Sequence, residues 1–354
     1  MDSTEYQAPK PRKPQLVGLR DVAAQAGIGI ATASSVLNGS RSNTRVSQAT
    51  RDRVLSAAKE LGYHPNALAR GLSGRPTKTL GVLFCLERAS VAVANPYAFT
   101  VFQGLIGGAA DAGYDITLFT EPWHDAERSG GILRSGRTDG VVLIAVTTDS
   151  DILASLAQTG LPAVAVSSSG GYNISSVDVD NSVGARLATE HLVSLGHRRI
   201  AHLSGDDNLI SAIERREAFL ATLTEASLPV PSDYLLPGSY ETASGYDRTR
   251  RLLALPAPPT AIFASNDTLA LAAINAARDC GVDVPGQLSV IGFDDLPTLS
   301  LEALGLTTIR QPLMEIGRMG SLMLIASIET GSVQPERRLF TPELIVRNST
   351  APPA

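Results

Sequence analysis

The chain has 354 residues, 44% hydrophobic and only 5% aromatic, which fits aliphatic cores in two or three domains and excludes a disordered polypeptide. No apolar run reaches the roughly 18–20 residues of a membrane span. The opening MDSTEYQAPKPRKPQ lacks the apolar core of a signal peptide, and Cys85 and Cys280 have no CxxC spacing, so a reducing cytoplasm is expected and a disulfide framework or zinc site is not.

Charge divides the chain. Residues 1–80 hold 12 Lys+Arg against 5 Asp+Glu, and the remainder 18 against 30, so a basic head precedes an acidic body and the head alone suits a polyanion. Residues 1–16 read as a disordered basic arm. In 17–38, VGLRDVAAQAGIGIATASSVLN, the residues Leu19, Val22, Ala23 and Ala26 recur at helical spacing until Gly27 breaks the run. A second short run follows, with Ala33, Val36 and Leu37 on one face. Two short helices around a glycine turn form a helix-turn-helix pattern, and the alanines allow them to cross closely. A third helix is predicted from Ser47 as N-cap to Gly62, with Arg51, Arg53 and Lys59 on its outer face. From residue 79 to 350, short apolar strands (80–86, 115–119, 140–146, 162–167, 199–204, 261–265, 288–293) alternate with helical stretches such as 183–196 and 269–281. That alternation predicts parallel sheets with helices on both faces, and ligands bind such sheets beyond the carboxyl ends of the strands. Ser265-Asn266-Asp267, Phe293-Asp294-Asp295 and Arg310-Gln311 fall there; turn and capping chemistry would place the same residue types.

The head resembles the DNA-binding domain of the LacI/GalR repressor family. One block of the family pattern is met by Leu19, Asp21, Val22, Ala23, Ala26, Gly27, Thr32, Ser34, Val36, Leu37 and Asn38. The next is met by Val46, Ser47, Thr50, Arg51, Arg53, Val54, Ala57, Leu61, Gly62, Tyr63, Pro65 and Asn66. The resemblance continues through NPY (95–97), GRTDGVVL (136–143), Val179-Asp180-Asn181, HLVSLGHRRIAHLSG (191–205), RREAF (215–219), SNDTLALAAI (265–274), VIGFDD (290–295), LTTIRQP (306–312) and ELIVRNST (343–350). It implies an all-α helix-turn-helix head (17–64), a hinge helix and linker (65–78), and a two-lobed α/β domain with parallel doubly wound sheets, similar to periplasmic binding proteins, over 79–350. The expected N-lobe is 79–179 with 310–340, and the expected C-lobe is 180–309.

The resemblance also implies roles. DNA contacts fall to Leu19, Gly29, Ile30, Ala31, Thr32, Ser34, Ser35, Asn38, Tyr63, Asn66, Ala69 and Leu72, with Leu72 wedging into the minor groove. Gly29 stands where the family usually has Ser, Gly18 where it has Thr, and Ser35 where it often has Arg, so the hydroxyl cap is lost and an operator unlike the family's usual one is expected. Ile30 and Ala31 suit thymine methyls, or helix packing. Ligand contacts fall to Ser211, Arg215, Tyr240, Asn266, Asp294 and Gln311, with Tyr97 closing the cleft and Trp123 either closing it or lying on an exposed loop. Arg215 could instead pair with Glu214 or Glu217. A ring face amid hydrogen-bonding groups suits a sugar effector and equally a purine or nucleoside.

Two other readings compete. A sugar-binding module without DNA function is opposed by the basic head and the lack of an export signal. A doubly wound enzyme would carry a P-loop, GxSxG or GxGxxG element at a strand–helix turn, and none stands there. Asp294 and Asp295 are adjacent and point apart on a strand end. His191, His197 and His202 have no second group spaced for zinc. The expected protein is therefore no enzyme, has no cofactor or metal, and pairs with double-stranded operator DNA, a small-molecule effector and a second copy of itself, but no membrane. RNSTAPPA adds no heptads, so a dimer rather than a coiled-coil tetramer is expected. Sedimentation at micromolar concentration should show dimers, and tetramers would overturn this reading.

Overall fold

The computed structural model describes residues 17–38, 46–63, 76–297, 301–331 and 334–354. The arm 1–16 and the hinge candidates Asn66, Ala69 and Leu72 lie outside the described residues. The chain divides into two compact units, 1–77 and 78–354.

In the first unit α1 (Leu19–Gln25), α2 (Ile30–Asn38) and α3 (Gln48–Glu60) close around Val22, Ala23, Ala26, Ala33, Val36, Val54, Ala57 and Ala58. Gly18 offers no capping hydroxyl, but the Asp21 carboxylate accepts from its N–H at 2.8 Å, so the first turn is capped from within the helix. Gly27 adopts φ +65°, and Ile28 N–H returns to the Ala23 carbonyl at 3.0 Å, ending α1 in a left-handed turn that aims α2. Ser47 caps α3 by accepting from Thr50 N–H at 3.3 Å.

The second unit opens with β1 (Thr79–Phe84), α4 (Ala89–Ala92), α5 (Pro96–Asp111), β2 (Asp115–Phe119), α6 (Ala126–Leu133), β3 (Gly140–Ile144), α7 (Ile152–Ala157), β4 (Ala163–Val166) and β5 (Ser175–Val179). It continues with α8 (Asn181–Ser194), β6 (Ile200–Leu203), α9 (Ile210–Glu225), β7 (Leu235–Leu236), α10 (Thr242–Leu253), β8 (Ala261–Ala264), α11 (Asp267–Asp279), β9 (Ser289–Asp294), α12 (Leu301–Leu304), β10 (Thr307–Arg310), α13 (Leu313–Thr330), β11 (Arg337–Phe340) and β12 (Glu343–Ile345). One six-stranded sheet runs β11-β5-β4-β3-β1-β2 and the other β12-β10-β9-β8-β6-β7. Every pairing is parallel except β10 with β12. The chain crosses between sheets after β5, after β10 and between β11 and β12. GVVLI in β3 and SVIGFD in β9 are buried throughout, as strands covered by helices on both faces must be. Among the described residues no helix is long and apolar enough to cross a membrane.

Strand limits differ from the sequence reading where the backbone turns. The run 140–146 stops at Ile144 because Ala145 takes φ +55°, and 162–167 stops at Val166 because Ser167 does the same. The strand β5, SSVDV, escaped the apolar criterion because Ser175, Ser176 and Asp178 are polar yet buried.

α5 and α13 cross in backbone contact. A Cβ on Gly104 would overlap the Met314 carbonyl, one on Gly317 the Val101 carbonyl, and one on Gly108 the Ser321 hydroxyl. Gly317→Ala should therefore destabilise the full chain by about 1–3 kcal/mol in urea melts. Gly107→Ala, on the open side of α5 with nothing within 4 Å, should be neutral or slightly stabilising. Equal behaviour of the two would show that the helices do not need this close approach.

Candidate functional site

The two sheets of the second unit point their strand ends at one cavity of about 580 Å³. Phe84 at the end of β1, Ile144 at the end of β3 with Ala145 after it, and Ser167 after β4 line one wall. Asp206 beyond β6, Tyr240 beyond β7, Asn266 after β8 and Asp294 at the end of β9 line the other. Three non-glycine residues on these walls have positive φ: Ala145 and Ser167 at +55° and Asp294 at +122°. Such conformations cost of order 1–3 kcal/mol each and cluster at ligand sites, where they turn side chains or carbonyls off the strand line.

Arg215, on α9, is 3% exposed. Its Nε donates to Asn181 Oδ1 at 2.9 Å and its Nη1 to the Ser265 carbonyl at 2.6 Å. The guanidinium carbon stands 3.6 Å from the centre of the Phe293 ring, and Nη1 lies 3.9 Å from Asp294 Oδ1. Arg215 thus has no ion pair with Glu214 or Glu217; Glu214 instead accepts from Asn181 Nδ2 at 3.0 Å and from Arg337 at 3.4 Å. Asp294 Oδ1 accepts from Gln311 Nε2 at 2.5 Å, while Asp294 Oδ2 and Gln311 Oε1 are buried without a protein partner. Burial lifts the Asp294 carboxyl to about 7, against the pull of Arg215 and Gln311.

Of the expected ligand residues, Tyr97, Ser211, Arg215, Tyr240, Asn266 and Asp294 line the cavity together, while Gln311 stands behind Asp294 and faces a separate depression. The Tyr97 hydroxyl donates to Ser167 Oγ at 2.6 Å, and burial raises its pKa. Asn266 is both cap and wall: its Oδ1 accepts from Leu269 N–H at 2.8 Å at the start of α11. Trp123 neither closes the cavity nor lies exposed. It is 8% exposed, donates from Nε1 to Asp151 Oδ1 at 2.5 Å, and packs in a smaller pocket with Phe119, Leu83 and Leu133.

Several residues outside the seven expected ligand contacts also shape the cleft. Gly205 leaves room for Tyr240, whose ring a Cβ there would overlap. Asp267 accepts from Leu296 N–H at 3.0 Å and Thr308 Oγ1 at 2.5 Å, pinning the turn after Asp294 to β10. Burial and then the Asp294 charge hold its carboxyl well above the usual range. Asn181 joins the first crossover to Arg215. His202 stacks on Phe219 and Phe263 at 5.0 and 4.8 Å, and burial lowers its pKa to about 3. His191 and His197 bond to Thr350 and to Ser289 and the Ala351 carbonyl, so all three histidines hold the fold together. Among the described residues no group of three or more His, Cys, Asp or Glu could hold a metal ion.

In the head, Ile30 is 46% exposed, Ala31 is exposed, and Thr32, Ser34 and Ser35 are half-buried, so Ile30 and Ala31 do not pack into the head core. Gly29 begins the turn into α2, its carbonyl accepting from Thr32 and Ala33. Leu19 and Tyr63 pack against the head core, and Asn38 ends α2. Arg20, Arg51, Arg53 and Lys59 are exposed.

A basic helix-turn-helix followed in the chain by a two-lobed α/β body with a buried polar cleft defines a ligand-responsive, DNA-binding transcriptional regulator. Residues 18–66 match the model of the bacterial regulatory proteins of the lacI family, and residues 189–350 that of the periplasmic binding protein-like domain. The HTH-type transcriptional repressor PurR of Haemophilus influenzae is 34% identical over 340 residues, spanning 94% of this chain and 98% of its own length. The chain is also similar to the transcriptional regulator CelR–cellobiose complex, at 32% identity and a TM-score of 0.72 over 94% of this chain and 99% of that one. The lac repressor dimer bound to operator and the anti-inducer ONPF superposes with a TM-score of 0.81 at 28% identity, over 95% of this chain and all of that one. The chain belongs to the LacI family.

Asp178, at the end of β5, generates a pH prediction. Burial lifts its carboxyl to about 7, with Arg215 pulling the other way. An unfolded carboxyl titrates near about 3.9. Protonation therefore favours the folded state below about pH 4, and this contribution is lost as pH rises to about 7. Asp178→Asn, which keeps an acceptor for Val179 N–H, should gain at least about 1 kcal/mol over wild type at pH 8, and the gain should shrink as pH falls below about 7 and vanish only below about pH 4 in guanidinium melts. A deficit at pH 8 would show that the carboxylate is held favourably.

Proposed function

We propose that this regulator represses transcription as a homodimer on a roughly palindromic operator, and that a small carbohydrate in the cleft sets its DNA affinity. The observation that carries the reading is the cavity itself. Polar side chains converge on it from both sheets, beside the rings of Tyr97 and Tyr240 and an unpartnered Asp294 Oδ2. Hydroxyl groups would donate to Asp294 and accept from Asn266, Ser211 and Arg215, and a sugar's C–H face would lie on a tyrosine ring. Gln311 acts through Asp294. In the head, exposed Ile30 and Ala31, with Ser35, face the major groove, while Gly29, Thr32, Ser34 and Asn38 approach the backbone or neighbouring bases. Leu19 and Tyr63 contribute by shaping the head. Residues 65–78 serve as the hinge, with Asn66, Ala69 and the Leu72 wedge in the minor groove. Arg215 and Gln311 touch the first two crossovers, through Asn181 and by position, so a ligand here biases the angle between the lobes and, through it, the spacing of the hinges.

The test is a thermal-shift screen of the purified chain against sugars, sugar phosphates and nucleosides. A ligand at 100 times its dissociation constant stabilises by about 2.7 kcal/mol. The shift should vanish in Arg215→Ala and shrink in Ser211→Ala. The second variant matters because breaking a buried pair costs about 3–5 kcal/mol and can unfold a protein. A nucleoside shifting the chain while every sugar fails would replace the carbohydrate reading. No shift at all would sink the sensing role of the cleft.

A further inference from the structure

The charges around the cleft are unbalanced. Its lining carries the carboxyls of Glu87, Asp206, Glu241 and Asp294 against the single guanidinium of Arg215. Arg215 is already committed to Asn181, the Ser265 carbonyl and the face of Phe293. The other nearby guanidinium, Arg248, is buried behind the wall and gives its hydrogen bonds to the carbonyls of Ser204, Leu236, Ser239 and Ser244. Glu87 comes from the sheet of β1, Asp206 and Glu241 from the opposite sheet, so like charges face each other across the opening. Burial and then mutual repulsion raise the pKa of Glu87, with Glu241 and Asp206 as the repelling groups. Asp206 is raised by burial and by Glu241 even though Arg248 pulls it down. Deeper in, Asp294 is 1% exposed and its Oδ2 is an acceptor with no protein donor.

Resting on the reading of the cleft as an effector site, we propose that its carboxylates select an uncharged or cationic effector rich in hydrogen-bond donors, and reject phosphorylated or carboxylated forms of the same molecule. An anion entering would meet acceptors where it needs donors, and negative potential where it needs positive. An anionic ligand needs cationic side chains free at the opening; here the one lining guanidinium is buried, with Nε and Nη1 already donating to Asn181 and the Ser265 carbonyl, which leaves it a limited donor for the ligand and no excess of positive charge.

The experiment uses matched probes on the full-length chain. The sets are glucose, glucosamine and glucose 6-phosphate; ribose and ribose 5-phosphate; galactose and galacturonate; adenosine and adenosine monophosphate. Binding is read by calorimetry and thermal shift at fixed ionic strength. Within the set that binds, the neutral or amino member should bind at least about tenfold more tightly than the anionic member, the effect of one like charge a few ångströms away in a half-solvated site. Glu241→Gln should narrow that ratio and also raise the melting temperature of the ligand-free protein, because it releases repulsion on Glu87 and Asp206. An anionic member binding more tightly than its neutral partner overturns the proposal. So does a Glu241→Gln melting temperature that fails to rise, since the repulsion would then be absent. Silence from every probe, in wild type and variant alike, would instead remove the effector reading on which the proposal stands, and the proposal with it.

Discussion

The buried guanidinium of Arg215 is the constraint around which the body is arranged. Taking such an ion out of water costs several kcal/mol even after relaxation, and removal of a partner leaves that cost uncompensated. The compensation here comes from Asn181 on the first crossover, the Ser265 carbonyl at the end of β8, and Phe293 and Asp294 at the end of β9. These groups lie far apart in sequence, so the cation is stable only when two strand ends and a crossover meet at one point. Gln311, on the second crossover, joins them through Asp294. A single buried charge thereby ties the site to the segments that connect the lobes.

Parallel sheets leave their carboxyl strand ends as the natural place for such a meeting. The left-handed residues Ala145, Ser167 and Asp294 end the strands abruptly, so the chain turns away and leaves a cavity where the strands would otherwise continue. The walls are economical in residues. Asn266 caps α11 and faces the cavity; Ser167 receives the Tyr97 hydroxyl; Gly205 is bare so that Tyr240 can lie against it.

Much of this was legible before any coordinates. The Gly27 break, the Ser47 cap and the buried β-runs each carry a local signal, from left-handed backbone, a capping hydroxyl and apolar burial respectively. Of the strand-end residues Asn266, Asp294 and Gln311, the first two line the cavity, while Ser211, Arg215 and Tyr97 stand on helices and were legible only through the family resemblance. What could not be read had non-local causes. β5 is polar and earns its place by pairing with β4 and β11. Trp123 is buried by a hydrogen bond to Asp151, 28 residues away. Arg215 stands beside two glutamates in sequence, yet the helix directs it to Asn181 and Ser265, which no spacing rule identifies. The close approach of Gly104 to the Met314 carbonyl, which only a residue without Cβ allows, joins elements some 200 residues apart.

The same contacts limit how a ligand can act on the lobes. A ligand shifts a two-state equilibrium only by its differential affinity for the two states. Arg215 already has partners, so contact with it gains little, whereas the open acceptor of Asp294 offers the larger gain because an unsatisfied buried acceptor is costly. Asp294 holds Gln311, and two residues later α13 begins. That helix cannot slide along α5, because Gly104 and Gly317 bring backbone against backbone. A displacement at Asp294 would on these contacts be passed on as a rotation of the sheet and its helices together about the crossovers, a rigid-body motion rather than a shear between helices. The glycine seam that fixes the fold of one lobe is, on this argument, also what allows a small change at one carboxylate to move that lobe as a whole.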